Sequence, residues 1–199
     1  MSDEEMVSKG RRKLLIGVTS AIGAVGAVGV ATPFVRSWQP SAKARAAGAP
    51  VEADISQLQL GQKMVVEWQG RPVWIVRRSP EALATLPRIE GELSDPRSEQ
   101  PQQPNYAMND HRSIRPEILV LLGICTHLGC SPVYRPDVGA ADLGGDAWLG
   151  GFFCPCHGSK FDLAGRVYKG VPAPTNLEVP PYRYLSDNVV LVGEDEEAA

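Results

Sequence analysis

The stretch Leu14–Val35 carries no charged residue over 22 positions. At 1.5 Å per helical residue it reaches about 33 Å, enough to cross a hydrocarbon core of about 30 Å. In lipid a single span must satisfy its own backbone hydrogen bonds, and only a helix does so. Arg11, Arg12 and Lys13 stand immediately before it. They place the N-terminus in the cytoplasm and the rest of the chain across the membrane. The chain therefore divides into a cytoplasmic N-terminus at 1–13, a transmembrane anchor at 14–35, a flexible tether at 36–50 and a folded domain at 51–199. A cleaved signal peptide is the competing reading, because Ala42, Ala44, Ala46 and Ala47 offer small residues to a peptidase.

The 199 residues, 43% of them hydrophobic, suffice for one globular domain with its own core plus a short accessory segment. The net charge of -3 hides an asymmetry: five basic residues against three acidic ones lie at or before Arg36, and 15 against 20 from Ser37 onward. An acidic body argues against nucleic acid as the main partner, since neutralising phosphates requires a concentrated basic face. The acidic tail Glu194–Glu197 reads as solvated charge.

The segment Ser37–Ala49 is small and Ala-rich without an apolar period, which suits a tether. The pattern turns β-like from Val51. Lys63–Trp68 and Pro72–Arg78 are β-branched and aromatic runs separated by Gln69, Gly70 and Arg71, which predicts a hairpin. Ser79 as N-cap and Pro80 in the first turn start a short helix through about Leu86. Pro87–Pro116, with five prolines and few apolar residues, predicts a long surface excursion in which His111 is solvent-exposed. Glu117–Gly123 is an apolar run suited to a buried strand, and shorter runs at Trp148–Phe153, Gly165–Tyr168 and Val189–Gly193 complete an all-β reading. Residues between Tyr134 and Asp146 predict a surface insertion without a chemical role.

All four cysteines fall between Cys125 and Cys156, so they point to one local site. They lie in Cys125-Thr126-His127-Leu128-Gly129-Cys130 and Cys154-Pro155-Cys156-His157-Gly158-Ser159. Two disulfides, a zinc site and a mixed site are all compatible with four cysteines, and the histidines must decide. A zinc site would have closed tetrahedral ligation. A dithiol redox protein would normally carry Cys-x-x-Cys, whereas the close pair here is Cys154-x-Cys156. Each loop pairs a Cys with a His and adds one further Cys, and mixed thiolate and imidazole ligation is what a Rieske centre uses.

Both loops resemble those of the Rieske iron–sulfur subunits of cytochrome bc complexes, of the proteobacterial type. The resemblance extends to the anchor, the Ala-rich tether and the stretch Gly170-Val171-Pro172-Ala173-Pro174, which is similar to the family's proline loop over the cluster. Arg11 and Arg12 before Leu14 and Leu15 resemble a twin-arginine export signal, a route suited to a domain that folds around its metal before translocation. The resemblance favours retention of 14–35 as an anchor. It implies one [2Fe-2S] cluster per subunit, with Cys125 and Cys154 on one iron, His127 and His157 on the other, and a Cys130–Cys156 disulfide joining the loops. It also implies an all-β domain of small antiparallel sheets with a cluster-binding subdomain at about 120–175. In function it implies the iron–sulfur subunit of a quinol:cytochrome c oxidoreductase in respiratory or photosynthetic electron transport, active only within the complex.

The implied subunit takes one electron from quinol at cytochrome b, with His157 hydrogen-bonding the quinol, and passes it to a c-type cytochrome. The implied setting is a dimeric complex in the bacterial inner membrane, with the cluster domain on the periplasmic side. Ser159 matches the position whose hydroxyl donates to a bridging sulfide. Leu128 and residues 170–174 match surfaces that meet the quinol pocket and shield the cluster. Phe161 departs from the family, many of whose members place there a Tyr that donates to a ligating thiolate. Rieske ferredoxins and oxygenase domains share the ligand pattern but usually lack the second cysteine pair and the anchor.

The physical case runs parallel. Two ferric ions, two sulfides, two thiolates and two neutral imidazoles sum to zero charge, whereas four thiolates would leave the cluster negative. An electron enters the neutral arrangement more easily, so potentials span roughly -150 to +300 mV against about -400 mV for plant-type ferredoxins. Electron uptake then favours proton uptake at the imidazoles. Such coupling suits quinol as donor.

Overall fold

The computed structural model describes residues 8–42, 44 and 48–195. Two compact units divide near Ala46 and Ala47. In the first, helix α1 spans Lys9–Ser37, 29 residues or about 43 Å. Ser8 caps it, its hydroxyl accepting from the Arg11 N–H at 3.5 Å. No residue of α1 is buried, although Leu14, Ile22, Val25, Val28 and Phe34 lie along it. An apolar helix without a protein core around it is stable where the surrounding medium is itself apolar. Of the predicted tether, Ala42 and Ala44 are helical, and the Ser41 hydroxyl accepts from the Ala44 N–H. Lys43 and residues 45–47 lie outside the described residues, as does the acidic tail beyond Asp195.

Among the described residues the second unit has nine strands in three antiparallel three-stranded sheets. The first has the order β1 (Val51–Asp54), β9 (Val189–Val192), β8 (Tyr182–Ser186). The second has the order β2 (Lys63–Trp68), β3 (Arg71–Arg77), β4 (Ile118–Leu122). The third has the order β5 (Val133–Arg135), β6 (Gly151–Cys154), β7 (Ser159–Asp162). The all-β expectation thus holds. The β2–β3 hairpin turns through Gln69 and Gly70, both at positive φ, the geometry that matches strand twist in a two-residue connection. Strand β4 is buried at all five positions, as its unbroken apolar run requires. Trp74 of β3 stacks on Phe152 of β6 at 5.2 Å between ring centroids and joins the second sheet to the third.

Helix α2, Pro80–Thr85, starts at Ser79, whose hydroxyl accepts from the Ala82 N–H at 3.2 Å, and it continues into a 3-10 segment at Leu86–Glu92. Two expectations need correction. Residues 165–168 form no strand: Gly165 takes a left-handed φ of 73°, and Val167 and Tyr168 make only single bridges, to Phe161 and Leu93. The segment Pro87–Pro116 is also more than a surface excursion. Leu93, Ser98, Ala107, Arg112 and Ser113 are buried in it. Its backbone runs against the 164–179 segment, with Ser94 N–H donating to Val167 O at 2.9 Å, Lys169 N–H to Glu92 O at 2.8 Å and Val179 N–H to Gln102 O at 2.8 Å. Polar, proline-rich sequence conceals such packing because these contacts use backbone groups, which carry no hydrophobic period. His111 is only partly exposed, its Nδ1 buried without a partner, and its carbonyl accepts from Arg78 at 2.9 Å.

The insertion after β5 forms two 3-10 turns, Ala141–Leu143 and Gly145–Ala147. It is held by a two-pronged pair between Arg135 and Asp142, at 2.8 and 2.9 Å. Glu194, at the start of the acidic tail, pairs with Arg183 at 3.0 Å.

Candidate metal centre

Two loops of similar build face each other. The first joins β4 of the second sheet to β5 of the third, and the second is the turn between β6 and β7. In each, the carbonyl of the leading cysteine accepts from a glycine four residues on: Gly129 N–H to Cys125 O at 3.0 Å, and Gly158 N–H to Cys154 O at 2.9 Å. Both glycines sit at positive φ, 83° and 79°, with nothing near the place of an added Cβ. Backbone conformation, not crowding, selects glycine there. The Cys125 N–H closes the first loop on Cys130 O at 2.7 Å. The Cys154–Ser159 strand pairing closes the second.

Cys130 and Cys156, 26 residues apart, form the expected disulfide and tie the loops together. Cys125 and Cys154 remain free and are buried. The sulfurs of Cys130, Cys154 and Cys156 lie within 4.8 Å of one another, but the disulfide removes two of these as thiolate donors. The donors left are two buried thiols and two imidazoles nearer the surface. His127 and His157 stand edge to face, ring centroids 4.8 Å apart, with His157 exposed and His127 half-buried. Two thiols and two imidazoles make up the mixed donor set that a Rieske centre takes, so the residues present fit a [2Fe-2S] group.

The surroundings support the sulfurs. Burial pushes the Cys125 thiol up. The His127 backbone N–H opposes this, Cys154 adds to it, and the Ser159 hydroxyl opposes it again. Ser159 is fully buried, and its oxygen also accepts from the Ala173 N–H at 3.0 Å. Cys154 and Phe152 on β6 pair with Ser159 and Phe161 on β7, so all four side chains share one sheet face. The stretch Gly170–Pro174 leans on the site through Ala173, and the Thr126 hydroxyl donates to Thr175 O at 2.8 Å. Leu128, at the tip of the first loop, is 71% exposed, more than any other large apolar residue described in the β domain. Leaving a Leu in water forgoes roughly 1.5 to 3 kcal/mol of burial, so its position suits a surface that meets an apolar partner.

All of Cys125, His127, Cys130, Cys154, Cys156, His157 and Ser159 are therefore gathered at one place. Sequence reasoning missed Thr126, Asn176 and Arg112, which hold the neighbouring loop through long-range hydrogen bonds. The polar character of the excursion pointed to solvent instead, so no local signal marked these buried partners.

The Rieske [2Fe-2S] domain profile matches residues 49–182. The profile of the ubiquitinol-cytochrome C reductase Fe-S subunit TAT signal matches residues 1–41. The ubiquinol-cytochrome c reductase iron-sulfur subunit of Allochromatium vinosum is 61% identical over 193 residues, covering 97% of this chain and 93% of that one. Its counterpart from Bradyrhizobium diazoefficiens is 39% identical over 184 residues, covering 92% and 94%. A solved structure described as hyperthermophilic respiratory Complex III includes a chain 30% identical, with a TM-score of 0.48, covering 88% of this chain and 97% of that one. Two buried thiols beside two outward imidazoles, together with relatives matched over nearly the whole length, place this chain in the family of Rieske iron–sulfur subunits of ubiquinol-cytochrome c reductase.

Proposed function

We propose that the chain is the electron-accepting subunit of a quinol:cytochrome c oxidoreductase, with Cys125, Cys154, His127 and His157 holding one [2Fe-2S] cluster. When bound, that group supplies a one-electron acceptor whose potential imidazole ligation raises. His157 is the catalytic contact: it is exposed on the second loop, and its outer ring nitrogen, when deprotonated, would accept the hydrogen bond of the quinol hydroxyl and take its proton, returning to the neutral imidazole. Leu128 and the 170–174 stretch exclude water from that contact. Ser159 donates to sulfur and favours the more negative, reduced state. The partners are cytochrome b, which binds the quinol, and a c-type cytochrome, which takes the electron, in a dimeric complex. Helix α1 anchors the subunit in the bacterial inner membrane with the cluster domain on the periplasmic side, where a disulfide persists. The tether at 36–50 lets the domain travel between its two partners.

The observation that carries this reading is the pair of buried thiols beside the outward-facing His127 and His157, on loops joined by a disulfide. Replacing His157 by Ala is expected to abolish the Rieske EPR signal and all quinol oxidation. A reduced-cluster signal of normal intensity in His157→Ala would refute the ligand assignment.

A further inference from the structure

Arg112 is fully buried although it lies in a polar, proline-rich segment. Its backbone takes φ 51°, a left-handed conformation that glycine or asparagine adopts more readily. A long cationic residue held there indicates a task for the side chain. One terminal nitrogen of the guanidinium donates to Ala164 O at 3.1 Å and Gly165 O at 3.4 Å. The other donates to Leu177 O at 2.7 Å, Gln103 Oε1 at 2.9 Å and Gln102 O at 3.5 Å. The Leu177 N–H returns to Gly165 O at 2.8 Å. Residues 165 and 177 are thus the two ends of a loop, and one side chain grips both.

Ser98 repeats the pattern in the same segment. It too is fully buried at a positive φ, 54°, and its hydroxyl accepts from Asn176 Nδ2 at 3.3 Å. Asn176 in turn accepts the Val167 N–H at 2.8 Å through Oδ1, inside the loop. The loop's far side reaches the metal centre by two contacts already described: Ala173 N–H on Ser159, whose hydroxyl touches the Cys125 sulfur, and Thr126 on Thr175 O.

We propose that Arg112 is a positioning residue for the cluster: by bridging both ends of the 165–177 loop it fixes how the loop sits on Ser159 and Thr126, and so sets the potential of the site. The proposal rests on the ligand assignment given above. Burial lowers the Arg112 guanidinium to about 10, so it stays charged at neutral pH. Loosening the loop weakens the Ser159 contact to sulfur, which lowers the potential.

The test compares full-length chains that differ at one position. Arg112→Lys keeps the charge but cannot reach five oxygens in a fixed fork, so it separates positioning from charge. Gln103→Leu removes one partner of Arg112 on the half-buried side, together with the Gln103 amide's own bonds to Ser98 O and Gln100 O at 2.8 Å, and serves if Arg112→Lys fails to hold the cluster. Val190→Ala, a truncation in the first sheet, controls for lowered stability alone. Hydrogen exchange at the Val167, Ala173 and Leu177 amides is expected to rise at least tenfold over that control in Arg112→Lys. The potential of the intact cluster is expected to fall, and Gln103→Leu should follow in the same direction with a smaller effect. Exchange and potential matching the Val190→Ala control would overturn the proposal, as would faster exchange with an unmoved potential. A wild-type chain without the Rieske EPR signal would instead overturn the ligand assignment, while the exchange measurement would still report on the grip of Arg112.

Discussion

Phe161 stands where the resemblance implies a Tyr in many members of the family. Its side chain is fully buried, and it lies two positions after Ser159 on β7, so the two share the face that carries Cys154. A hydroxyl added there points toward the ligand region. A hydrogen bond to sulfur stabilises the reduced state more than the oxidised one because the reduced state carries the additional negative charge. A differential of about 1 to 1.5 kcal/mol corresponds to roughly 40 to 65 mV for one electron. Phe161→Tyr should therefore raise the potential by that amount in a redox titration. An unchanged or lower potential with the cluster intact would show that Phe161 only packs. At this scale the cysteines and histidines were legible because few residue types bind iron and their spacing is local. Arg112 and Asn176 were not. Their roles rest on partners 65 and 81 positions away, for Leu177 and Asp95, and on a left-handed backbone that composition does not reveal.

The ligand loops depend on the elements that frame them more than on their own contacts. The disulfide between Cys130 and Cys156 closes a span of 26 residues, which in the chain-entropy account restricts the unfolded chain by roughly 3.5 kcal/mol. Cys156→Ser is expected to lower Tm, and to lower iron content per chain because the two loops no longer face each other at a fixed distance. Full iron occupancy after purification, with wild-type EPR intensity, would count against that role; so would mass spectrometry finding both thiols free in the native protein. Elements with a local signal were legible. Helix α2 had its cap and proline, β4 its apolar run, and the β2–β3 hairpin its Gln69-Gly70 turn. The four-residue β6 and β7 alternate poorly, since Gly151, Phe152, Cys154, Ser159, Phe161 and Asp162 are all buried between sheet and loop. Residues 165–168 misled because Val167 is apolar and buried for the sake of a bridge and a loop rather than a ladder.

For the molecule as a whole, the division into an apolar helix and an all-β domain followed from one uncharged stretch and one change of period. The assembly of three sheets did not, because sheet order depends on contacts far apart in sequence, such as β1 with β9. That far pairing places Tyr182 of β8 against the middle of the chain. Its hydroxyl accepts the Ile114 N–H at 2.8 Å, and its own N–H donates to the Tyr106 hydroxyl at 2.8 Å. Burial pushes the Tyr182 phenol up to about 12, against the pull of the Ile114 hydrogen bond and of Arg78. Unfolded, the phenol titrates near about 10. Between these two values the unfolded chain has lost a proton that the folded chain keeps, so the contribution is complete below about pH 10 and lost as pH rises to about 12, roughly 2 to 3 kcal/mol in all. Tyr168 and Tyr184, also raised by burial, act in the same direction, whereas Arg78 and Arg112, lowered to about 10, act in the opposite one. A single substitution isolates the Tyr182 share. Tyr182→Phe leaves the Ile114 N–H without its acceptor and is expected to cost about 1 to 3 kcal/mol at pH 7. From pH 10 to 12 the variant should then lose less stability than wild type, so that the gap between them narrows or closes. Denaturant midpoints of the full-length protein at pH 8, 10, 11 and 12 measure both slopes, and parallel slopes would show that Tyr182 does not carry the alkaline sensitivity.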